Sequence, residues 1–377
     1  MTFLLRLALL YSSVFLAIGV QVPFLPVWLA AKGLDERTIG AVLSAAAIAR
    51  VIAVPLGTRA ADHFANLKAA LLLATTAAAI SLTFAGTANR VLPILVAFSL
   101  AVAAGATALP LIETYALQSL AARGAPYGPT RLWGSVAFIV GNLGAGFLIA
   151  VVAPVNFIWV IVAAYWLVVP IAMTMPPAAT PATESRPSGL FLRTPGLIAV
   201  VVASGLIQSS HSLFYGFSTL QWSQAGLDGV TIGALWAIGV VAEIILFAAS
   251  GRLPAGFGPI ALLAAGAAGG GLRWAAMAFD PPVAALPVLQ CLHGLSFGAT
   301  HLGAMQFVAR AVSPSRAATA QGILATAYGI MSAIAMALSG VLYASVGTTA
   351  YVAMALLCVA GGTVTATLRR QPAATLR

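Results

Sequence analysis

Residues Gly33–Ala41 read GLDERTIGA and residues Gly226–Ala234 read GLDGVTIGA, with seven of nine positions identical at an offset of 193. The same offset sets Arg50 opposite Glu243 and Arg59 opposite Arg252. A match that keeps its register beyond the motif, in a chain of 377 residues, reads as a duplication with its joint near the middle.

Each copy of the motif lies between two long apolar runs, and the rest of the chain repeats that pattern. Hydrophobic residues make up 61% of the chain and charged residues 7%, with a mean hydropathy of +1.02. A soluble chain needs about 25% charged residues to face water. Here the outer faces must meet hydrocarbon, where the backbone has to satisfy its own hydrogen bonds in a helix bundle or a closed barrel. The runs are about 20 residues or longer and lack the period-two alternation of barrel strands. The fold class is therefore an all-α membrane protein, with spans expected over 5–30, 38–60, 67–86, 91–119, 130–152, 156–175, 196–222, 230–250, 259–278, 283–310, 317–344 and 349–368.

Twelve spans put both termini on one side. With the N-terminus inside, thirteen basic residues fall in inner segments, among them Arg6, Arg59, Lys68, Arg123, Arg131, Arg252 and Arg310. Only Lys32, Arg37 and Arg90 fall outside, so both termini are expected in the cytoplasm. The net charge of +10 is thus an orientation signal spread thinly between spans, and no nucleic-acid patch is expected. The N-terminal run, with Arg6 before it and Pro23 and Pro26 inside it, is too long for a signal peptide. Cys291 and Cys358 sit in apolar runs and are expected as buried thiols, with no disulfide and no metal motif. Residues 176–195, including PPAATPATESRPSG, read as a flexible cytoplasmic linker between a bundle over 1–175 and a second over 196–377.

Six spans separate the two copies of the motif, so the halves share one topology and form a parallel repeat. Such repeats build one large group of secondary transporters, which hold their ligands near the midplane. The few ionisable groups within the spans therefore carry the functional reading. These are Arg50, Glu113, Arg131, His211, Glu243, Arg273, His293 and His301, while all four aspartates are expected in loops. A charge near the bilayer centre costs about 2.5–3.5 kcal/mol on insertion scales and should face a partner or a wet cavity. Glu243, deep in GVVAEIILF, suits a protonatable carboxylate, or alternatively a static partner of Arg50 or Arg273. Arg50 stands at the matching place in the first half, where a planar guanidinium fork suits a substrate carboxylate. His293 is a candidate proton-relay member, and His301 lies eight residues on, about 12 Å along an α-helix and ~80° around it.

Pro23 and Pro26 are expected to break the first span beside Gln21, Phe24 and Trp28, freeing carbonyls for a cavity. Gln208, His211, Phe214, Tyr215 and Phe217 give the seventh span a mixed polar and aromatic face suited to an amphipathic ligand, although core packing explains most aromatics equally well. Gly134, Gly141, Gly144 and Gly146 on the fifth span allow close helix contact.

The segments YGPTRLWGSVAF (Tyr127–Phe138), QSSHSLFYGFS (Gln208–Ser218), IGVVAEIILFA (Ile238–Ala248) and LHGLSFGATHLGAM (Leu292–Met305) resemble the bacterial 3-phenylpropionate permeases. These are major facilitator proteins, more distantly similar to the lactose permease and the nucleoside symporters, and the resemblance covers essentially the whole chain. It implies a fold of two six-helix pseudo-repeats and carriage of aromatic acids driven by protons. In the lactose permease pattern a Glu and an Arg on the fourth and fifth spans hold the substrate, and Glu113 and Arg131 match them. A Glu, an Arg and a His on the eighth to tenth spans there serve binding and proton coupling, matched by Glu243, Arg273 and His293. This chain departs from the pattern one turn beyond that His, where Ser296 replaces a carboxylate. Its loop from Gly57 to Lys68, with Asp62, is a degenerate form of the family signature.

An ATP-driven pump is excluded for this chain alone, because Lys32 and Lys68 are its only lysines and neither follows a Gly-rich phosphate loop. Gly294–Gly298 fits the G-x-S-x-G pattern of serine hydrolases, but the motif needs a strand–turn–helix elbow and here falls within a span. The expectation is therefore a monomeric carrier and no enzyme, bearing no cofactor and driven by the proton gradient. Substrate contacts are assigned to Arg50, Glu113, Arg131, Arg273, His211, Tyr215, Gln21, Phe24 and Trp28. Proton coupling is assigned to Glu243, His293 and His301. A drug or metabolite exporter and a sugar or nucleoside symporter are the alternatives.

Overall fold

The structure is a computed structural model that describes residues 2–64, 66–125, 127–177, 194–252, 257–312 and 314–369; of residues 62–64, 121, 314–318 and 369 it describes the backbone alone. It is all-helical among the described residues. The first six spans are α1 (Phe3–Ala31), α2 (Glu36–Phe64), α3 (Leu67–Thr87), α4 (Val91–Ala121), α5 (Tyr127–Val151) and α6 (Ile158–Met173). The seventh is two helices, α7 (Leu197–Ser209) and α8 (Ser212–Gln224), followed by α9 (Gly229–Ala249) and α10 (Pro259–Met277). The tenth comprises α11 (Leu286–Cys291), a π-helical turn over Gly294–Ala299 and α12 (Thr300–Ala311), and α13 (Pro314–Val346) and α14 (Tyr351–Arg369) complete the chain.

Among the described residues, eleven stretches are long and apolar enough to cross a membrane, the last running over Thr319–Leu368. A single helix of those 50 residues would be about 75 Å long, more than twice the hydrocarbon thickness. It divides at Gly347, whose φ of +58° ends α13, so the described residues make twelve passes. Exposed Leu73, Phe84, Phe147, Ile245, Leu272 and Leu356 are the expected surface of a protein solvated by lipid.

The repeated nonapeptide is a pair of helix caps. Gly33 (φ +83°) and Gly226 (φ +86°) take the left-handed conformation that ends the preceding helix. The amides that follow close the same two bonds in each copy: Gly33 to Ala30 at 2.9 Å and Leu34 to Leu29 at 3.2 Å, then Gly226 to Ser223 at 3.1 Å and Leu227 to Trp222 at 2.9 Å. Asp35 then caps α2 by accepting from the Thr38 amide at 3.0 Å, and Asp228 caps α9 by accepting from the Thr231 amide at 2.9 Å. The identical positions are thus largely those whose chemistry turns one helix into the next. Bonds from Thr38, through its side chain and then its amide, hold the Asp35 carboxyl below its ordinary range. The Thr231 amide, followed by its hydroxyl, does the same for Asp228.

Several expectations are corrected. α1 runs unbroken through Pro23 and Pro26, because a missing donor alone does not force a break when neighbouring helices hold the segment. α2 extends past the expected boundary, so Asp62 lies in its last turn and not in a loop, although its side chain is outside the described residues. The seventh span divides at Ser210 and His211. There Ser209 and Ser210 turn their hydroxyls back onto the carbonyls of Leu206 and Ile207, at 3.0 and 2.6 Å, in competition with the helix ladder. Cys358 is buried as expected, but Cys291 is exposed, and both are free thiols.

The chain forms two compact units, Met1–Ser185 with Thr219–Ala234, and Arg186–Ser218 with Leu235–Arg377. Most of the expected linker, residues 178–193, lies outside the described residues. In the first unit α1 packs on α5 and α6, α2 on α4, and α3 on α4 and α6. In the second, α10 packs on α12 and α14, and α7 on α13 and α14.

Candidate functional site

The first unit gathers its charges where α1, α4 and α5 meet. Glu113 Oε1 accepts from Arg131 Nε at 3.1 Å. Its Oε2 accepts from the Tyr11 hydroxyl at 2.9 Å and from the Tyr127 hydroxyl. The Arg131 guanidinium lies over the ring of Phe15 at 4.2 Å and near that of Tyr11 at 5.5 Å. Tyr11 and Phe15 reach Arg131 because α1 and α5 approach through glycines. A Cβ on Gly19 would stand 2.5 Å from the Phe138 carbonyl oxygen, and one on Gly141 would stand 2.7 Å from that of Leu16. Gly144 by contrast has nothing within 4 Å, so it is no part of this seam. Glu113 and Arg131 do meet, each already engaged with the other.

One turn away in the same unit lies a cavity of about 240 Å³. Apolar residues of α1, α3, α4 and α6 form most of its wall, and its polar groups are Gln21, Arg50, Thr75 and Tyr165. The Thr75 hydroxyl is spent on the Leu71 carbonyl at 2.9 Å. Arg50, half-buried at the centre of α2, has neither an ion-pair nor a hydrogen-bond partner among the described residues. Gln21 lines this space as part of α1, but Phe24 and Trp28 do not. Phe24 packs on Phe157 at 5.6 Å, and Trp28 is fully buried, so both belong to the core.

The second unit builds a different centre around Arg273, which is 1% exposed. Its guanidinium lies over the rings of Trp274 at 4.4 Å and Phe214 at 4.6 Å, donates to Nδ1 of His293 at 3.2 Å and also donates to Gln290 Oε1. Its Nε finds no acceptor among the described residues. On the far side of the imidazole, His293 Nε2 stands 3.5 Å from Glu243 Oε2. An arginine only donates, so Nδ1 must accept and Nε2 must carry the hydrogen. The two charges therefore face each other through a neutral imidazole.

The π-helical turn over 294–299 changes the geometry expected of the tenth span. Its i→i+5 bonds widen the helix, so residues four apart come closer to register. The rings of His293 and Phe297 stack at 5.3 Å and 10°, and those of Phe297 and His301 at 6.3 Å and 7°. The expected ~80° drift between the two histidines of an α-helix is thus removed. His301, assigned to proton coupling, is exposed, with its ring against Phe297 and Phe247.

His211, fully buried at the break between α7 and α8, donates from Nδ1 to the Gln208 carbonyl at 3.0 Å. Its Nε2 is left to accept from Ser296 Oγ, also at 3.0 Å. This serine–histidine contact sits on the G-x-S-x-G stretch, but both residues are 0% exposed and the motif forms a π-turn instead of an elbow. It is a satisfied polar pair in a core. Tyr215 stacks between His211 at 5.8 Å and Trp236 at 5.8 Å. The sequence reading missed Tyr11, Phe15, Tyr127, Tyr165, Trp236, Trp274 and Gln290 as partners. Tyr127 alone carried a legible signal, four residues before Arg131 and so on the same helix face.

Among the described residues the scarce ionisable side chains gather inside helical bundles long and apolar enough to cross a membrane, as in a membrane transporter. The chain belongs to the MFS_1 like family, which it matches over residues 4–353. It is 31% identical over 370 residues, 94% of each chain, to the Escherichia coli (strain K12) protein named "Probable 3-phenylpropionic acid transporter". It is 29% identical over 335 residues to the maltose permease of Geobacillus stearothermophilus, covering 86% of this chain and 82% of that one. In fold it is similar to the nucleoside transporter NupG, with a TM-score of 0.84 at 19% identity over 99% of this chain and 100% of the other. It is a multi-pass membrane protein with the major facilitator fold.

Proposed function

We propose that the protein is a proton-coupled secondary carrier that takes up a small aromatic monocarboxylate, of the 3-phenylpropionate kind, across the bacterial inner membrane. It works as a monomer with both termini in the cytoplasm. The observation that carries this reading is the Glu243–His293–Arg273 series, in which Nε2 of His293 stands 3.5 Å from Glu243 and Nδ1 accepts from Arg273 at 3.2 Å. A carboxylate held through a neutral imidazole from a buried guanidinium is placed to take up and release a proton without breaking the rest of the network. The positive-inside distribution supports the orientation, and the name of the 31%-identical relative supports the substrate class.

The relative named as a maltose permease favours a second reading, symport of a sugar. Purified protein in proteoliposomes with an inside-alkaline pH gradient separates the two. Labelled 3-phenylpropionate should enter faster than into protein-free vesicles under the same gradient, which report passive entry of the neutral acid, while labelled maltose and uridine should not accumulate. Gradient-driven accumulation of maltose, with the acid entering no faster than into protein-free vesicles, would replace the first reading with the second.

A further inference from the structure

We infer that the cavity around Arg50 is a binding subsite for the carboxylate of a small, mostly apolar monocarboxylic acid. This inference rests on the carrier reading above and assigns its substrate-binding group.

Three arginines were candidates for that role, and their surroundings separate them. Arg131 is already opposed by Glu113 at 3.1 Å. Arg273 is buried under two aromatic rings and donates to His293 and Gln290. Arg50 alone of the three has no partner among the described residues. It is the middle residue of α2, fourteen residues from either end, so about 21 Å of helix lies on each side. At that depth its head cannot snorkel easily to either interface, and an unpaired guanidinium in an apolar wall is costly. An anion entering the cavity removes that cost, and the planar fork of the guanidinium fits the two oxygens of a carboxylate.

The remaining wall limits the rest of the ligand. Among the described residues no acidic side chain lines the cavity, so none there balances a cationic ligand. Beyond Arg50 the polar side chains with no partner among the described residues are Gln21 and Tyr165. A sugar bears a hydroxyl on nearly every carbon and would leave most of them buried without partners, which a site of this composition rejects. An apolar body meets Val14, Ile18, Val22, Val102 and Leu109 at no such cost. The volume of about 240 Å³ falls below the ~300–1,000 Å³ of sites for drug-sized molecules and suits a ligand with a single ring.

The test is equilibrium binding to the full-length protein in detergent, by calorimetry, without any proton gradient. 3-Phenylpropionate should bind, and its amide and alcohol analogues, which lack the anion, should bind at least about 10- to 100-fold more weakly. Arg50→Ala should weaken the acid by a similar factor while melting like the parent protein, and Arg50→Lys should fall between them. Binding of the acid should survive Glu243→Gln, which separates this inference from the proton assignment. Equal binding of acid and amide by the parent protein would overturn it, and this comparison needs no variant. So would undiminished binding by a folded Arg50→Ala.

Discussion

Arg273 donates to Nδ1 of His293 at 3.2 Å, and that single bond decides what His293 can do. With Nδ1 accepting, the imidazole already carries its hydrogen on Nε2, 3.5 Å from Glu243. A second proton on the ring would have to displace the guanidinium. In the proposed coupling, the carboxylate of Glu243 is therefore the member of the series assigned to gain and lose a proton, with His293 orienting it.

Glu243→Gln keeps the shape and removes the titration. Exchange of labelled for unlabelled substrate across proteoliposomes should continue at a rate comparable to the parent, whereas the initial rate of gradient-driven uptake should fall to that of protein-free vesicles. A gradient-driven rate equal to that of the parent would remove Glu243 from the coupling path.

Gly19 is where α1 and α5 touch, and a Cβ there would stand 2.5 Å from the Phe138 carbonyl. Gly19→Val should cost about 1–3 kcal/mol or more, read as a lower melting temperature, and should draw Tyr11 and Phe15 away from Arg131. Gly144→Val on the same α5, with nothing within 4 Å, should melt like the parent.

Gly33 and Gly226 form a matched pair. At φ +83° and +86°, with open space around each, an added methyl meets no atom and feels only the backbone. Gly33→Ala and Gly226→Ala should therefore each destabilise by about 1 kcal/mol, and by similar amounts. A large difference between the two melting shifts would show that the repeated caps are not equivalent.

The caps also titrate. Asp35 and Asp228 are held below the ordinary carboxylate range by Thr38 and Thr231, so their contribution is present above that range. It is lost as pH falls through the lowered native value. Melting in detergent between about pH 6 and about pH 3 should decline less steeply for Asp35→Asn combined with Asp228→Asn than for the parent. Parallel curves would mean the caps carry no pH-dependent stability.

The fold was legible because its controls are compositional and local. Apolar run length sets the spans, and GLDxxTIGA is the capping chemistry that joins two of them in each half. The pairing of Glu113 with Arg131 was legible because one short turn separates their helices. Less visible were features that depend on how a helix bends. The break at Ser210 and His211 arises from serine hydroxyls competing for carbonyls, and serines in a span do not announce it. The π-turn over 294–299 leaves no periodic mark in a Gly-rich stretch, yet it aligns His293, Phe297 and His301. Pro23 and Pro26 suggested a break that α1 does not make, and with it a ligand role for Phe24 and Trp28, which pack in the core. Sequence could place Arg50 at mid-span, but not show that Arg131 and Arg273 have partners while Arg50 has none among the described residues.

Proton movement with the substrate is the most direct test of a carrier coupled through Glu243. Proteoliposomes enclosing a pH-sensitive dye and given 3-phenylpropionate with no starting gradient should acidify inside faster than protein-free vesicles, which report passive entry of the neutral acid. Vesicles bearing Glu243→Gln should match the protein-free rate. If labelled acid enters through the parent protein while the interior acidifies no faster than in bare vesicles, substrate and proton are not coupled.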